Sequence, residues 1–184
     1  MYDFIAQAVG FVAAAVLILS FQCKSSRRLF FMQMCSNAIY VVHFLMLGAY
    51  SGCVSLLISC VRNLVFSGSR PWCWWKGWPW LLIAANLAAT ALTWQGIFSL
   101  LPCVGVVTVT LAGWTRNGKK VRLANLWLSS PAWLIYDAYT HSWSGVLCES
   151  LSMGSVIVSV LRYGWKALDT VEQPIPEHER NVKT

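Results

Sequence analysis

Cys23-Lys24-Ser25-Ser26-Arg27-Arg28 interrupts two apolar runs, and its basic residues begin the pattern that decides the fold. The next interruption, Gly48-Ala49-Tyr50-Ser51-Gly52, carries no Lys or Arg. Arg70 and Lys76 follow, then none around Gln95-Gly96, then Arg116, Lys119, Lys120 and Arg122. The gap at His141 is again empty of both, and Arg162, Lys166, Arg180 and Lys183 close the series. Cytoplasmic connections of membrane proteins accumulate Lys and Arg, and external ones do not. The alternation therefore predicts seven spans, with the N-terminus outside and the C-terminus in the cytoplasm. Of the 14 basic residues only Arg62 falls inside a span; the others lie outside the apolar runs or at their edges.

Composition agrees. The chain is 57% apolar and 11% charged, whereas a soluble domain carries about 25% charged residues. Its net charge of +7 sits in short clusters beside apolar segments, which fits anionic lipid headgroups and argues against nucleic acid. The start, Met1-Tyr2-Asp3, lacks the basic region of a signal peptide, so the first run is expected to stay as a span. The 7 Cys residues form no CxxC pair and no metal-ligand spacing. They read as small apolar groups, with no metal or other cofactor implied.

A helix needs about 20 apolar residues to cross the hydrocarbon core. The expected spans are 4–22, 29–48, 52–68, 78–94, 98–114, 121–139 and 145–163. They group as three, one and three: a first bundle over 1–68, a Trp-rich loop and linker helix over 69–96, and a second bundle over 97–165. The polar stretch 166–184 is expected to be a disordered cytoplasmic tail. A shift of 93 residues places Ser51-Gly52 on Ser144-Gly145 and Ser36 on Ser129. One span separates the groups, so both run in the same direction, a parallel repeat of the kind known among transporters. The five Trp residues between Pro71 and Trp80 read as an interfacial belt.

Several segments resemble the YgjV family of bacterial inner-membrane proteins. They include Ala6-Gln7-Ala8-Val9-Gly10, Arg27-Arg28 with Met32-Gln33, His43-Phe44 and Leu47-Gly48. Leu101-Pro102-Cys103-Val104-Gly105, Gly145-Val146-Leu147-Cys148-Glu149 and Leu161-Arg162-Tyr163 continue the likeness over about residues 4 to 165. That family is itself similar to the PQ-loop and SWEET-type proteins, built from three-helix bundles. The resemblance implies a bacterial inner-membrane location and a transporter-like architecture, without a substrate. The Pro-Gln pair is absent: Phe21-Gln22 and Trp114-Thr115 stand at the comparable helix ends.

Arg62 lies ten residues past Gly52, roughly 15 Å along a helix and near the middle of a core about 30 Å thick. A charge there costs on the order of 3 kcal/mol on insertion scales, so it is expected to face the bundle interior. Asn63 follows it, and Glu149 in the seventh span is its expected partner. His43 is placed at nearly the depth of Glu149, and Asn37 and Ser130 correspond under the repeat. Pro131, Pro102 and Gly105 are candidate hinges, while Asp137 is expected to be solvated near the outer edge. Two functions follow: a transporter of a small polar or anionic substrate, or a membrane scaffold or lipid-binding protein whose polar residues are structural. No nucleophile–base pair, metal cluster or phosphate loop suggests an enzyme. An oligomer is compatible with either function.

Overall fold

The structure, a computed structural model, describes residues 2–168 and is all-helical there. The helices are α1 (Tyr2–Ser20), α2 (Ser26–Met46), α3 (Tyr50–Ser67), α4 (Trp78–Leu92), α5 (Leu100–Trp114), α6 (Gly118–Ala124), α7 (Ser130–Tyr139) and α8 (Trp143–Leu168). A π-helical segment, Asn125–Ser129, joins α6 to α7 as one continuous run, which makes seven helical segments. Four of them are long and apolar enough to cross a membrane: Ser26–Met46, Tyr50–Ser67, Ile97–Trp114 and Trp143–Leu168. Phe4–Ser20 and Trp78–Leu92 are shorter apolar helices. Most of the expected tail lies outside the described residues, but its first part, 166–168, continues α8 beyond Gly164, whose φ of 73° breaks the helical path.

The outer surface is apolar, and the interior holds many polar side chains beside its apolar clusters. Phe4, Phe11, Leu92, Trp127 and Leu161 are exposed, whereas Gln33, Asn63, Asn86, Thr110 and Ser159 are buried. Such a distribution fits lipid, which does not penalise apolar side chains outside, and the buried polar groups then join helices. The chain is an all-α membrane protein.

Six helical runs close into a ring. α1 packs on α2, α2 on α3, α3 on α5, α5 on the α6–α7 run, α7 on α8, and α8 back on α1. α4 stands beside the ring against α3 and α5, where Asn86 donates to the Cys103 carbonyl at 3.3 Å. Tight reversals are possible because Gly48 and Gly96 take positive φ of 69° and 114°, a conformation glycine adopts at no steric cost. Small residues recur on the buried face of α8, Ser144, Gly145, Cys148, Ser152, Ser155 and Ser159, and Ser144, Cys148 and Ser155 among them meet α1. Small side chains let backbones approach and bond across. Gln22 Nε2 donates to Ser155 Oγ at 2.8 Å, and Ser155 Oγ donates to the Ile18 carbonyl at 3.0 Å.

Two arginines, Arg116 between α5 and α6 and Arg122 within α6, depart from their expected role as lipid-facing topology markers. Both are buried, and both cap helix ends. Arg116 donates to the carbonyls of Phe66 at 2.7 Å, Gly68 at 2.9 Å, Val65 at 3.2 Å and Cys73 at 2.7 Å. Its guanidinium also lies 3.9 Å over the Trp74 ring. Arg122 does the same at the end of α1, donating to Phe21 at 2.9 Å and Cys23 at 2.7 Å, and to Ser159 Oγ at 3.0 Å. The last carbonyls of a helix have no partner within it and carry the negative end of its dipole. A planar fork of five donors satisfies several of them at once, which an ammonium cannot do. In the Trp-rich stretch Trp72, Trp75 and Trp80 are exposed, as a belt requires, but Trp74 is committed to Arg116.

Candidate functional site

A cavity of about 60 Å³ lies at the centre of the ring and takes lining residues from all six runs. α1 contributes Leu17; α2 Gln33, Asn37, Tyr40 and Phe44; α3 Leu56, Ser59 and Arg62; α5 Gly105, Val106 and Val109. Asn125 and Ser129 come from the π segment, Trp133 and Asp137 from α7, and Glu149 from α8. One water needs about 10–15 Å³ on this scale, so the space holds a few waters or one small solute.

Arg62 is buried and held from behind. Its Nε donates to Asn63 Oδ1 at 3.1 Å and its Nη1 approaches the Val106 carbonyl at 3.4 Å. Asn63 is fully buried and positions Arg62 without lining the cavity. Glu149 reaches the same cavity, with Ser130 close to its carboxylate. Among the described residues no ion pair within 4 Å joins Arg62 to Glu149, so the expected partnership does not form. Asn37 lines the cavity as expected.

His43 belongs elsewhere. It is fully buried between α1 and the α7–α8 turn, and it is not a cavity residue. Its Nδ1 donates to the Ala6 carbonyl at 2.7 Å, and its Nε2 lies 2.8 Å from Ser142 Oγ. A carbonyl can only accept, so in the neutral ring Nε2 is the acceptor and the serine the donor. Both ring nitrogens are satisfied by packing partners.

Asp137 is corrected in the opposite sense. It was expected in solvent, yet it is 2% exposed and lines the cavity. The turn after α7 folds inward: Ser142 is fully buried and donates its backbone N–H to the Asp137 carbonyl at 2.8 Å. Gly145 makes room, because a Cβ there would collide with the Asp137 carboxylate. Among the described residues one carboxylate oxygen, Oδ1, has no partner that meets hydrogen-bond geometry, and neither do Gln33 Nε2 and Tyr40 Oη. All three residues line the cavity and are at most 5% exposed. Buried polar atoms are nearly always partnered, so their convergence on one space marks it as a place for water or a polar ligand.

The three candidate hinges are placed as follows. Pro102 lies in the first turn of α5, where its missing N–H would have no helical acceptor anyway. Gly105 meets the Trp133 indole, whose Nε1 would lie 2.6 Å from an added Cβ. Pro131 follows the π segment at the start of α7, where the Ser130 N–H bonds Asn125, five residues back. The extra residue of a π turn shifts helical register, so Ser129 lines the cavity and Ser130, expected there, does not. Among the described residues no three His, Cys, Asp or Glu side chains form a metal-holding group.

Comparison with known proteins is consistent with this membrane architecture. The family Imp-YgjV, described as a bacterial inner membrane protein, matches residues 4–166. The inner membrane protein YgjV of Escherichia coli (strain K12) is 24% identical over 162 residues, covering 88% of this chain and 85% of that one. No solved structure matches. With nearly the whole helical ring inside the matched stretch, the chain belongs to the Imp-YgjV family and is a protein of the bacterial inner membrane.

Proposed function

We propose that the protein is a small inner-membrane transporter whose central cavity binds a small polar solute near mid-membrane. The observation that carries this reading is the cavity itself. All six runs of the ring line it, and it collects one arginine, two carboxylates and three unpartnered polar atoms. Intramembrane ionisable groups are expensive, and when they converge on an open space they mark a solute or ion path.

The architecture proposed with it is three plus one plus three. Residues 1–68 and 97–165 form two parallel bundles, residues 69–96 supply the linker α4, the N-terminus is outside and the C-terminus cytoplasmic. Support comes from the contacts between the triplets: the first helix of each touches the last helix of the other, α1 with α8 and α3 with α5. A two-fold axis along the membrane normal produces this exchange, as in SWEET-type transporters. Rocking of the two halves would open the cavity alternately to either side, with the π turn and Pro131 as the place where α6 and α7 can flex. A scaffold with purely structural polar residues describes His43 and the two capping arginines, but it gives the unpartnered cavity atoms no role.

Reconstituted proteoliposomes challenged with a panel of small polar and charged solutes test the proposal through solute-evoked currents or uptake. At least one solute class should evoke a response that Arg62→Gln and Asn37→Ala lose while remaining folded. A silent panel with well-folded protein in both orientations contradicts transport.

A further inference from the structure

We infer that the cavity ligand is a small zwitterion, with its cationic group held at Asp137 and Glu149 and its anionic group at Arg62. The inference rests on the transport reading and deepens it. The lining carries one guanidinium and two carboxyl groups, and no ion pair joins Arg62 to Glu149 among the described residues. Each sign is therefore available to a ligand.

Charge selects among ligand classes. A plain anion would satisfy Arg62 while facing two carboxylates, and like charges at close range repel in a medium of low dielectric. A plain cation would leave the buried guanidinium with only Asn63 Oδ1 and the Val106 carbonyl. A neutral solute would leave both signs uncompensated. A molecule bearing both charges meets both ends. The unpartnered atoms fit the same ligand: Asp137 Oδ1 accepts from an ammonium, and Gln33 Nε2 donates to a carboxylate. Tyr40, Phe44 and Trp133 form aromatic wall, and aromatic faces favour an ammonium group. A space of about 60 Å³ favours a ligand of a few heavy atoms.

The test uses the full chain with its native cysteines replaced and Ser59→Cys as reporter, in nanodiscs. Probes are the α,ω-amino acids from glycine to 6-aminohexanoate, each compared with the monocarboxylate and the monoamine of equal length. The readout is slowing of Ser59→Cys modification by a polar thiol reagent. At least one amino acid should protect at about tenfold lower concentration than its two controls, since one charged hydrogen bond contributes about that factor. Glu149→Gln or Asp137→Asn should remove the advantage over the carboxylate, and Arg62→Gln the advantage over the amine. If Ser59→Cys reacts but amino acids protect no better than their controls, the zwitterion is overturned and the cavity stands. If Ser59→Cys never reacts, the transport reading falls as well. The wild-type lining decides between these outcomes even where a charge variant fails to fold.

Discussion

Arg62 and Glu149 line one cavity from α3 and α8 without pairing. A lock between helices and a binding site differ in this respect. In a lock each charge answers the other, and removing one partner of a buried pair costs about 3–5 kcal/mol. Here Arg62 is answered by Asn63 and Val106, and Glu149 lies out of its reach.

A double-mutant cycle of Arg62→Gln and Glu149→Gln should therefore give a coupling energy below about 0.5 kcal/mol, the range of independent sites. Reversible denaturation in mixed micelles measures it. Coupling well above 1 kcal/mol would restore the ion-pair lock.

Arg122→Lys should destabilise the fold by about 3 kcal/mol or more, because a lysine cannot span Phe21, Cys23 and Ser159 together. Arg116→Lys should behave alike. Arg28→Gln, at an exposed position, should change stability by less than about 0.5 kcal/mol. Equal effects at positions 28 and 122 would return the buried pair to a topological role.

His43→Ala should cost about 1–3 kcal/mol of stability by stranding Ser142 and the Ala6 carbonyl. Solute-evoked currents per folded molecule should stay within about twofold of wild type, because no cavity contact is lost. A selective loss of current with normal stability would put His43 in the solute path.

Two glycines of α8 make a matched pair. Gly154 faces open space, whereas a Cβ on Gly145 strikes the Asp137 carboxylate. Gly154→Ala should stabilise by up to about 1 kcal/mol, as for glycine in a helix interior. Gly145→Ala should destabilise by about 1–3 kcal/mol through overpacking. Thermal unfolding of the two variants side by side checks the sign.

Much of the architecture was legible because the membrane constrains it so strongly. Expected and observed helices differ by a few residues at their ends: 29–48 against Ser26–Met46, and 145–163 against Trp143–Leu168. The cavity was legible at Arg62, Asn37 and Glu149, where depth along a helix was the guide. It failed at Asp137 because residue counting takes the turn as the membrane edge, and this turn folds into the bundle around Ser142. Gly145, small and directly across, was the available signal. His43 was misplaced because depth says nothing about which face of α2 it occupies. The Ser129 and Ser130 roles came out one residue apart because the π turn breaks the helical period. Arg116 and Arg122 looked like their exposed neighbours in sequence; only the carbonyls of α1 and α3 distinguish them.

Cysteine accessibility tests the central claim, a water-filled polar cavity inside the ring, most directly. In a cysteine-free background, Asn37→Cys and Ser59→Cys should react with a membrane-impermeant thiol reagent applied to one or the other side of sealed vesicles. Val65→Cys, 1% exposed in the apolar cluster around Phe30 and Phe66, should stay unmodified. Failure of positions 37 and 59 to react from either side, in protein shown to be folded, would make the interior dry and contradict the account.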